Sequence, residues 1–355
     1  MKALVSAGGR GTRLRPITHT LNKHLIPIAN KPMIFWVLEK IAKAKIKEVG
    51  IVIKVGDEEI KKAIGDGKKW NLKITYIPQI GGSLGLAHVV KVAEDFIKKE
   101  PFIFYLGDNI FLGEINKFID KFKRTKVNCL LALSKVKDPQ RFGVPEIKNG
   151  KIIKIEEKPA RPKSNFAVTG IYLYDYHIFE AVKAIKPSKR GELEISDAHT
   201  WFIKKGYKIG YEEITGWWKD TGKPEDLLEG NHLLLTEISP KIKGRTEKEV
   251  ILQGKVRIDS GSSISGKCLI RGPVIIGEGC TIINSYIGPY TSIGNNVEIY
   301  NTEIENSIIL DNVDINCSTR IVDSLLGSNS TVISSKITLP SGHRLIIGDH
   351  ALVEL

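Results

Sequence analysis

Short apolar runs alternate with amphipathic stretches through the first 240 residues. Ala3–Ala7 is an apolar run that breaks off at Gly8-Gly9-Arg10-Gly11. From Pro32 to about Ala44, apolar residues recur at Ile34, Val37, Leu38 and Ile41, the spacing of one helix face. Val49–Val55 is almost continuously apolar, as a strand is when both faces of a parallel sheet are covered. Glu58–Ile64 predicts a helix closed by Gly65. Lys73–Ile77 predicts a strand, Leu86–Lys98 a helix, and Phe102–Leu106 a strand running into Gly107-Asp108-Asn109. Strand and helix in strict alternation predict a parallel sheet with right-handed crossovers. Ligands of such sheets bind at the carboxyl ends of the strands, and the turns at 8–11 and 107–109 both fall there.

Beyond a helix that starts near Pro224, the period changes. Ser239–Gly244 reads as a linker. After it, isoleucines recur near every sixth residue, at Ile276, Ile282, Ile287, Ile293 and Ile299, each followed by small or turn-forming residues such as Gly277, Gly288, Pro289, Gly294 and Asn295. This is the pattern of a hexapeptide-repeat β-helix, in which stacked coils bury a column of branched side chains. The one five-residue step, from Ile282 to Ile287, interrupts the period. An ordinary β-sandwich is the competing architecture.

Composition narrows the function classes. The chain has 355 residues, 42% hydrophobic and 26% charged, enough for two globular domains and unlike a disordered or fibrous chain. The four cysteines (Cys129, Cys268, Cys280, Cys317) form no C-x-x-C pair, so neither a disulfide framework nor a cysteine zinc site is expected, and a reducing cytoplasm fits. No stretch is apolar enough for a membrane span or a signal segment. The net charge of +13 is uneven: residues 1–249 carry 46 basic and 30 acidic side chains, residues 250–355 carry 7 and 10. The excess is lysine scattered along helical stretches. It lacks the basic block interleaved with aromatics that marks a nucleic-acid binder, and suits small anionic substrates instead.

The turn Gly8-Gly9-Arg10-Gly11-Thr12-Arg13 is the chemical centre of the N-terminal half. Its glycines let backbone N–H groups approach phosphate oxygens, and Arg13 can add a charge-assisted fork. Leu14 stands where a dinucleotide fingerprint needs its third glycine, and no Walker A loop occurs.

With Lys23 following in Asn22-Lys23-His24-Leu25-Ile26-Pro27, this turn resembles that of the sugar nucleotidyltransferases. Within them the chain is similar to the long-form glucose-1-phosphate thymidylyltransferases. Six further stretches carry the resemblance in order: Leu106–Asn109, Arg141–Val144, Glu156–Pro159, Ser164–Gly170, Arg190–Ile195 and Trp218–Gly222. The ending Leu345–His350 also resembles the long form. The resemblance implies an α/β fold: a Rossmann-like nucleotidyltransferase domain with a mostly parallel sheet over 1–240, and a left-handed parallel β-helix of hexapeptide repeats over 241–355.

It further implies transfer of a nucleotidyl group from dTTP to glucose 1-phosphate, giving dTDP-glucose and pyrophosphate, with Mg²⁺ as cofactor. Asp108 and Asp220 would share the metal, although either aspartate alone reads equally as a turn cap. Gly8, Gly9, Gly11, Thr12, Arg13 and Lys23 would hold the triphosphate. Gln79 would read the pyrimidine edge, with Gly85 flat under the base. Gly143, Glu157, Lys158 and Val168 would hold the sugar phosphate. Arg190 reads either as a fifth member of that group or as a helix-start ion pair. The chain departs from the family at Ser6, at His24, and between Gln79 and Gly85, where Ile80-Gly81-Gly82-Ser83-Leu84 is one residue longer. UTP or another sugar 1-phosphate is the alternative substrate pair. The β-helix is expected to assemble a homo-oligomer, as a trimer or from dimers. Bifunctional relatives carry an acetyltransferase there, but residues 250–355 hold only His343 and His350, both beyond the regular coils. A subunit that only regulates a partner is the third reading.

Overall fold

The apolar run after Met1 becomes the central strand of a nine-stranded sheet. The computed structural model describes residues 1–82, 84–334 and 345–354, so Ser83 and His343 lie outside the described residues. Strand β1 (Lys2–Ser6) is flanked on one side by β2 (Glu48–Lys54) and β3 (Lys73–Gln79), and on the other by β4 (Phe102–Leu106), all parallel. The chain thus leaves β1 in one direction and returns on its other side, which makes the carboxyl ends of β1 and β4 the crevice where such sheets bind ligands. Alternate residues face opposite layers. Val5, Ile51 and Ile103 join a core with α1 (Met33–Lys43), α2 (Glu58–Ile64) and α5 (Asn116–Thr125). Leu4, Val52 and Phe104 join a core with α3 (Leu86–Val92), α6 (Ile178–Ala184) and α7 (Ile195–Lys204).

Two boundaries differ from the sequence expectation. Strand β3 runs two residues past Ile77, because it is the edge of the sheet and Pro78 there needs no ladder bond on its open side. The predicted helix Leu86–Lys98 is broken at Ala93 into α3 and α4 (Glu94–Ile97): the Ala93 amide turns back to Val90, a tighter turn than the α-helical one.

The hydrophobic period leaves the antiparallel side of the sheet unannounced. A ladder of β5 (Asn109–Phe111) with β11 (Trp218–Asp220) stands apart from the main sheet. Strand β6 (Cys129–Lys135) pairs in parallel with β10 (Ile209–Glu213). The hairpin of β7 (Gly143–Lys148) and β8 (Lys151–Glu157) turns at Asn149-Gly150, both with positive φ (49° and 71°), the two-residue turn that matches strand twist. Strand β9 (Phe166–Tyr174) is bulged. Ile171–Tyr174 pairs with β4, Val168 pairs with Gly143 of β7, and the register against β6 slips between Val168 and Tyr172.

By its internal contacts the chain divides into two compact units. The first comprises Met1–Arg10, Asn22–Leu25 and Met33–Asp220; the second Gly11–Leu21, Ile26–Pro32 and the chain from Thr221 on. In the second, α8 (Pro224–Thr236) carries the buried Asn231. Its side chain accepts from the Ala29 amide at 2.8 Å and donates to the Tyr290 carbonyl at 3.0 Å. Beyond Lys241 the strands stack into three parallel sheets of six, six and five strands among the described residues, the arrangement expected of a left-handed parallel β-helix. Ile258, Ile276, Ile293, Ile309 and Leu326 stand in one column, and Ile264, Ile282, Ile299, Ile315 and Val332 in the next. The five-residue step at Ile282–Ile287 is a corner shortened by one residue at Asn284 (φ 49°), and Ile287 still pairs in register with Ile270.

Candidate active site

In the first unit, Gly8, Gly9, Lys23 and Asp108 gather at the carboxyl ends of β1 and β4. The Gly107 amide donates to the Ser6 carbonyl at 3.0 Å, which ties the two strand ends together. Lys23 is buried in a short turn (Lys23–Leu25), and its ammonium donates to Oδ2 of Asp108. Asn109 donates to Oδ1 of the same carboxylate at 3.0 Å, and the Trp218 indole donates to Asn109 at 2.8 Å. Burial alone would raise the Asp108 pKa. Lys23, then His24, and the bonds from Lys23 and Asn109 outweigh it and hold this carboxyl well below the usual range. His24, packed against the Gly9 and Gly107 backbone, is driven down to about 4, by burial first and then by Lys23 and Lys54 against the pull of Asp108. It is a neutral wall of the site.

Asp220 reaches the same place by strand pairing. In the β5–β11 ladder it lies opposite Asn109, the neighbour of Asp108. The buried Tyr172 hydroxyl senses the convergence: burial raises its pKa, and the charges of Glu157, Asp220, Cys129 and Asp108 raise it further. Among the described residues, no group of three or more His, Cys, Asp or Glu side chains forms a ready-made metal cage. The donors present are two carboxylates, one of them ionised against a cation. Hard oxygen donors of this kind fit a divalent ion that draws its remaining ligands from water and phosphate.

Three of the residues expected to hold the sugar phosphate, Gly143, Glu157 and Val168, share one rung of the sheet. Gly143 pairs with Glu157 on β8 and with Val168 on β9. Ser196, in the first turn of α7, donates to Oε2 of Glu157 at 2.6 Å. Lys158 follows β8 with φ 45°, a conformation that costs a non-glycine residue energy. Its amide donates to the Phe142 carbonyl at 2.9 Å, and its side chain is exposed. Arg190 forks onto Glu194 at 2.8 and 2.9 Å and reaches Glu192 at 3.3 Å; the ion pair weighed for it in the sequence is formed.

Gln79, expected to read the base, is buried at the end of β3, and its Nε2 lies 3.2 Å from Nδ1 of His88. Its oxygen faces Gly8: a Cβ there would come within 2.8 Å of Oε1, so a larger residue would push the amide aside. Gly85 (φ 95°) opens α3, and a Cβ on it would strike the Leu193 carbonyl at 2.4 Å; the segment carrying Arg190 is thereby clamped to this loop.

Gly11, Thr12 and Arg13 fall in the second unit. Gly11 (φ 63°) opens a short 3-10 turn, Thr12–Leu14, that buries Leu14 and exposes Thr12 and Arg13. Five residues of the site carry no recognisable sequence signal for their role. His88, Asn109 and Ser196 orient named side chains, Trp218 anchors Asn109, and His24 lines the turn.

An α/β sheet with a glycine turn, a buried lysine–aspartate pair and a second aspartate at its switch point defines a phosphate-handling enzyme fold. Comparison with known proteins agrees. The pattern described as Nucleotidyl transferase matches residues 2–237. Over its whole length the chain is 43% identical to a glucose-1-phosphate thymidylyltransferase of Streptomyces griseus, covering 99% of that protein. It is 40% identical to the low-salt glycan biosynthesis nucleotidyltransferase Agl11 of Haloferax volcanii, each chain covered in full. A Bacillus anthracis structure provisionally identified as a glucose-1-phosphate thymidylyltransferase superposes with a TM-score of 0.63 at 40% identity, covering 68% of this chain and 98% of that one. The chain belongs to the nucleotidyl transferase family.

Proposed function

We propose that the protein transfers a thymidylyl group from dTTP to glucose 1-phosphate, releasing pyrophosphate and forming dTDP-glucose. The observation that carries this reading is the full-length likeness to thymidylyltransferases, combined with the cluster of Lys23, Asp108 and Asp220 at the switch point. A phosphate oxygen of the sugar phosphate attacks the α-phosphorus in line, and the bond to the pyrophosphate oxygen breaks. The nucleophile is already an anion, so no base is required, and the barrier is repulsion between two polyanions. Positioned positive charge lowers it.

Lys23 and Arg13 are assigned to the triphosphate, with Gly8, Gly9, Gly11 and Thr12 supplying backbone and hydroxyl donors. Asp108 and Asp220 would hold Mg²⁺, which when bound supplies positive charge to the phosphates. Lys158 is assigned to the sugar phosphate. Glu157, steadied by Ser196, accepts from sugar hydroxyls, with backbone contacts from Gly143 and Val168. Gln79 reads the pyrimidine edge, and Gly85 lies under the base. Arg190 supports this side through Glu194.

Residues 1–240 form the catalytic domain in this reading, and 241–355 a β-helix through which copies assemble. No helix among the described residues is long and apolar enough to cross a membrane, and we place the enzyme in the cytoplasm. Among the described coils, 250–334, there is no histidine to serve an acetyltransferase.

Pyrophosphate release across four nucleoside triphosphates and several sugar 1-phosphates tests the proposal. The highest kcat/KM is expected for dTTP with glucose 1-phosphate. A preference for UTP above tenfold, or efficient use of ATP or GTP, would replace the thymidylyl assignment.

A further inference from the structure

Gln79 makes a contact that the base-reading role does not require. Its Nε2 lies 3.2 Å from Nδ1 of His88 on α3. An amide nitrogen can only donate, so in this arrangement Nδ1 accepts and the ring is the tautomer with its proton on Nε2. Burial, with Lys91 adding to it, lowers the His88 pKa, which favours the neutral ring. The amide thus lies with its nitrogen on His88 and its oxygen toward Gly8.

This orientation selects among pyrimidines. Thymine and uracil present a ring N3–H donor beside a carbonyl acceptor. Cytosine presents the reverse, a ring N3 acceptor beside an amino donor. A glutamine free to rotate pairs with either pattern, because its two ends are complementary to each other. With its nitrogen pinned to His88, Gln79 offers its oxygen to the ring N–H and its second amide hydrogen to the neighbouring carbonyl. Against cytosine the same orientation sets donor against donor and acceptor against acceptor.

We propose that His88 is a specificity-determining positioning residue, which selects imide pyrimidines over cytosine by fixing the Gln79 amide. The inference rests on the reading of Gln79 as the residue that meets the base. It assigns His88 no contact with the nucleotide.

The experiment compares kcat/KM for dTTP, dUTP and dCTP with glucose 1-phosphate, in the full chain and three variants. His88→Leu removes the acceptor and lets the amide turn. The dTTP-to-dCTP ratio is expected to fall about tenfold or more, the scale of one bidentate base contact. The dTTP-to-dUTP ratio should hold, since both bases present the same edge. His88→Asp places an obligate acceptor where Nδ1 stood and should restore most of the dTTP-to-dCTP ratio. Gln79→Ala should collapse that ratio by itself. If Gln79→Ala collapses it while His88→Leu leaves it unchanged, Gln79 reads the base and the role of His88 is wrong. If Gln79→Ala leaves the ratio intact, the base-reading assignment fails and the inference falls with it. A drop in all three nucleotides together, not rescued by His88→Asp, would also overturn the proposal, since it marks a purely structural residue.

Discussion

Trp218 donates from Nε1 to Oδ1 of Asn109 at 2.8 Å, and Asn109 passes the constraint on by donating from Nδ2 to Asp108 at 3.0 Å. The indole is itself braced edge-on by Phe142, ring centroids 5.4 Å apart. A central carboxylate is thus aimed by a residue 109 positions away in sequence from its relay partner. Trp218→Phe keeps the ring packing and removes the donor. Turnover is expected to fall about tenfold, the usual cost of losing a group that orients a metal-binding side chain. Asp108→Asn should cost about a hundredfold, because in the proposed reading this carboxylate holds the cation that offsets the phosphate charge. Steady-state kinetics at limiting magnesium, beside circular dichroism to confirm folding, checks both; full turnover in Trp218→Phe would show that the relay is idle.

The sugar side should respond separately from the nucleotide side. Lys158→Ala is expected to raise KM for glucose 1-phosphate by about tenfold while leaving KM for dTTP near its starting value, because the proposed reading assigns it to the sugar phosphate alone. Ser196→Ala frees the Glu157 carboxylate from its 2.6 Å bond and should raise the same KM by a smaller factor, about threefold to tenfold. Titrating each substrate at saturating levels of the other separates the two. An equal rise in both KM values would move Lys158 out of the sugar site.

Stability should decline on mild acidification, through His199. It is fully buried on α7, its Nε2 lies 2.6 Å from the Tyr174 hydroxyl, and its Nδ1 has no partner among the described residues. Burial lowers its pKa from 6.5 to about 3. Between those values the unfolded chain binds a proton that the folded chain refuses, so this contribution is complete above pH 6.5 and is lost as pH falls toward 3. From pH 7 to pH 5 it amounts to about 2 kcal/mol. Urea unfolding at both pH values measures it, and His199→Gln should flatten the dependence by about that amount. An unchanged slope in the variant would mean that His199 titrates normally.

In the β-helix, Ile299 sits fully buried between Ile282 and Ile315. Ile299→Ala should destabilise the chain by about 2–4 kcal/mol, the range for emptying a packed aliphatic site. Chemical denaturation followed by tyrosine and tryptophan fluorescence would read it. A loss under 1 kcal/mol would indicate a column loose enough to collapse around the gap.

Physical reasons separate what was legible in the sequence from what was not. Gly8–Gly11 and Asp108 stand out because buried strands must stop somewhere, and they stop at residues suited to phosphate and metal. The isoleucine column is legible because every coil repeats the same demand on its interior. Gln79 lies beyond the predicted strand, since Pro78 reads as a stop and only an edge position excuses it. The rung of Gly143, Glu157 and Val168 depends on a bulge in β9, and a bulge leaves no period. The pairs Glu157–Ser196 and Gln79–His88 join different elements, and neither partner is marked by its neighbours in sequence. The break at Ala93 is equally silent, because the residues around it keep helical spacing on both sides.

Among the described residues, each coil strand of the second unit is laddered only to the strand of the coil before and of the coil after. The number of coils is therefore a free variable of the architecture, open to change in whole steps. Removal of residues 294 to 309 would join Ile293 directly to Leu310. Ile293 would then stand where Ile309 stood, above the same Leu326. Insertions and deletions that respect this step preserve every column, whereas a shift of one residue exposes the isoleucines of a whole face. Related chains can thus be expected to differ in the length of this region by complete coils.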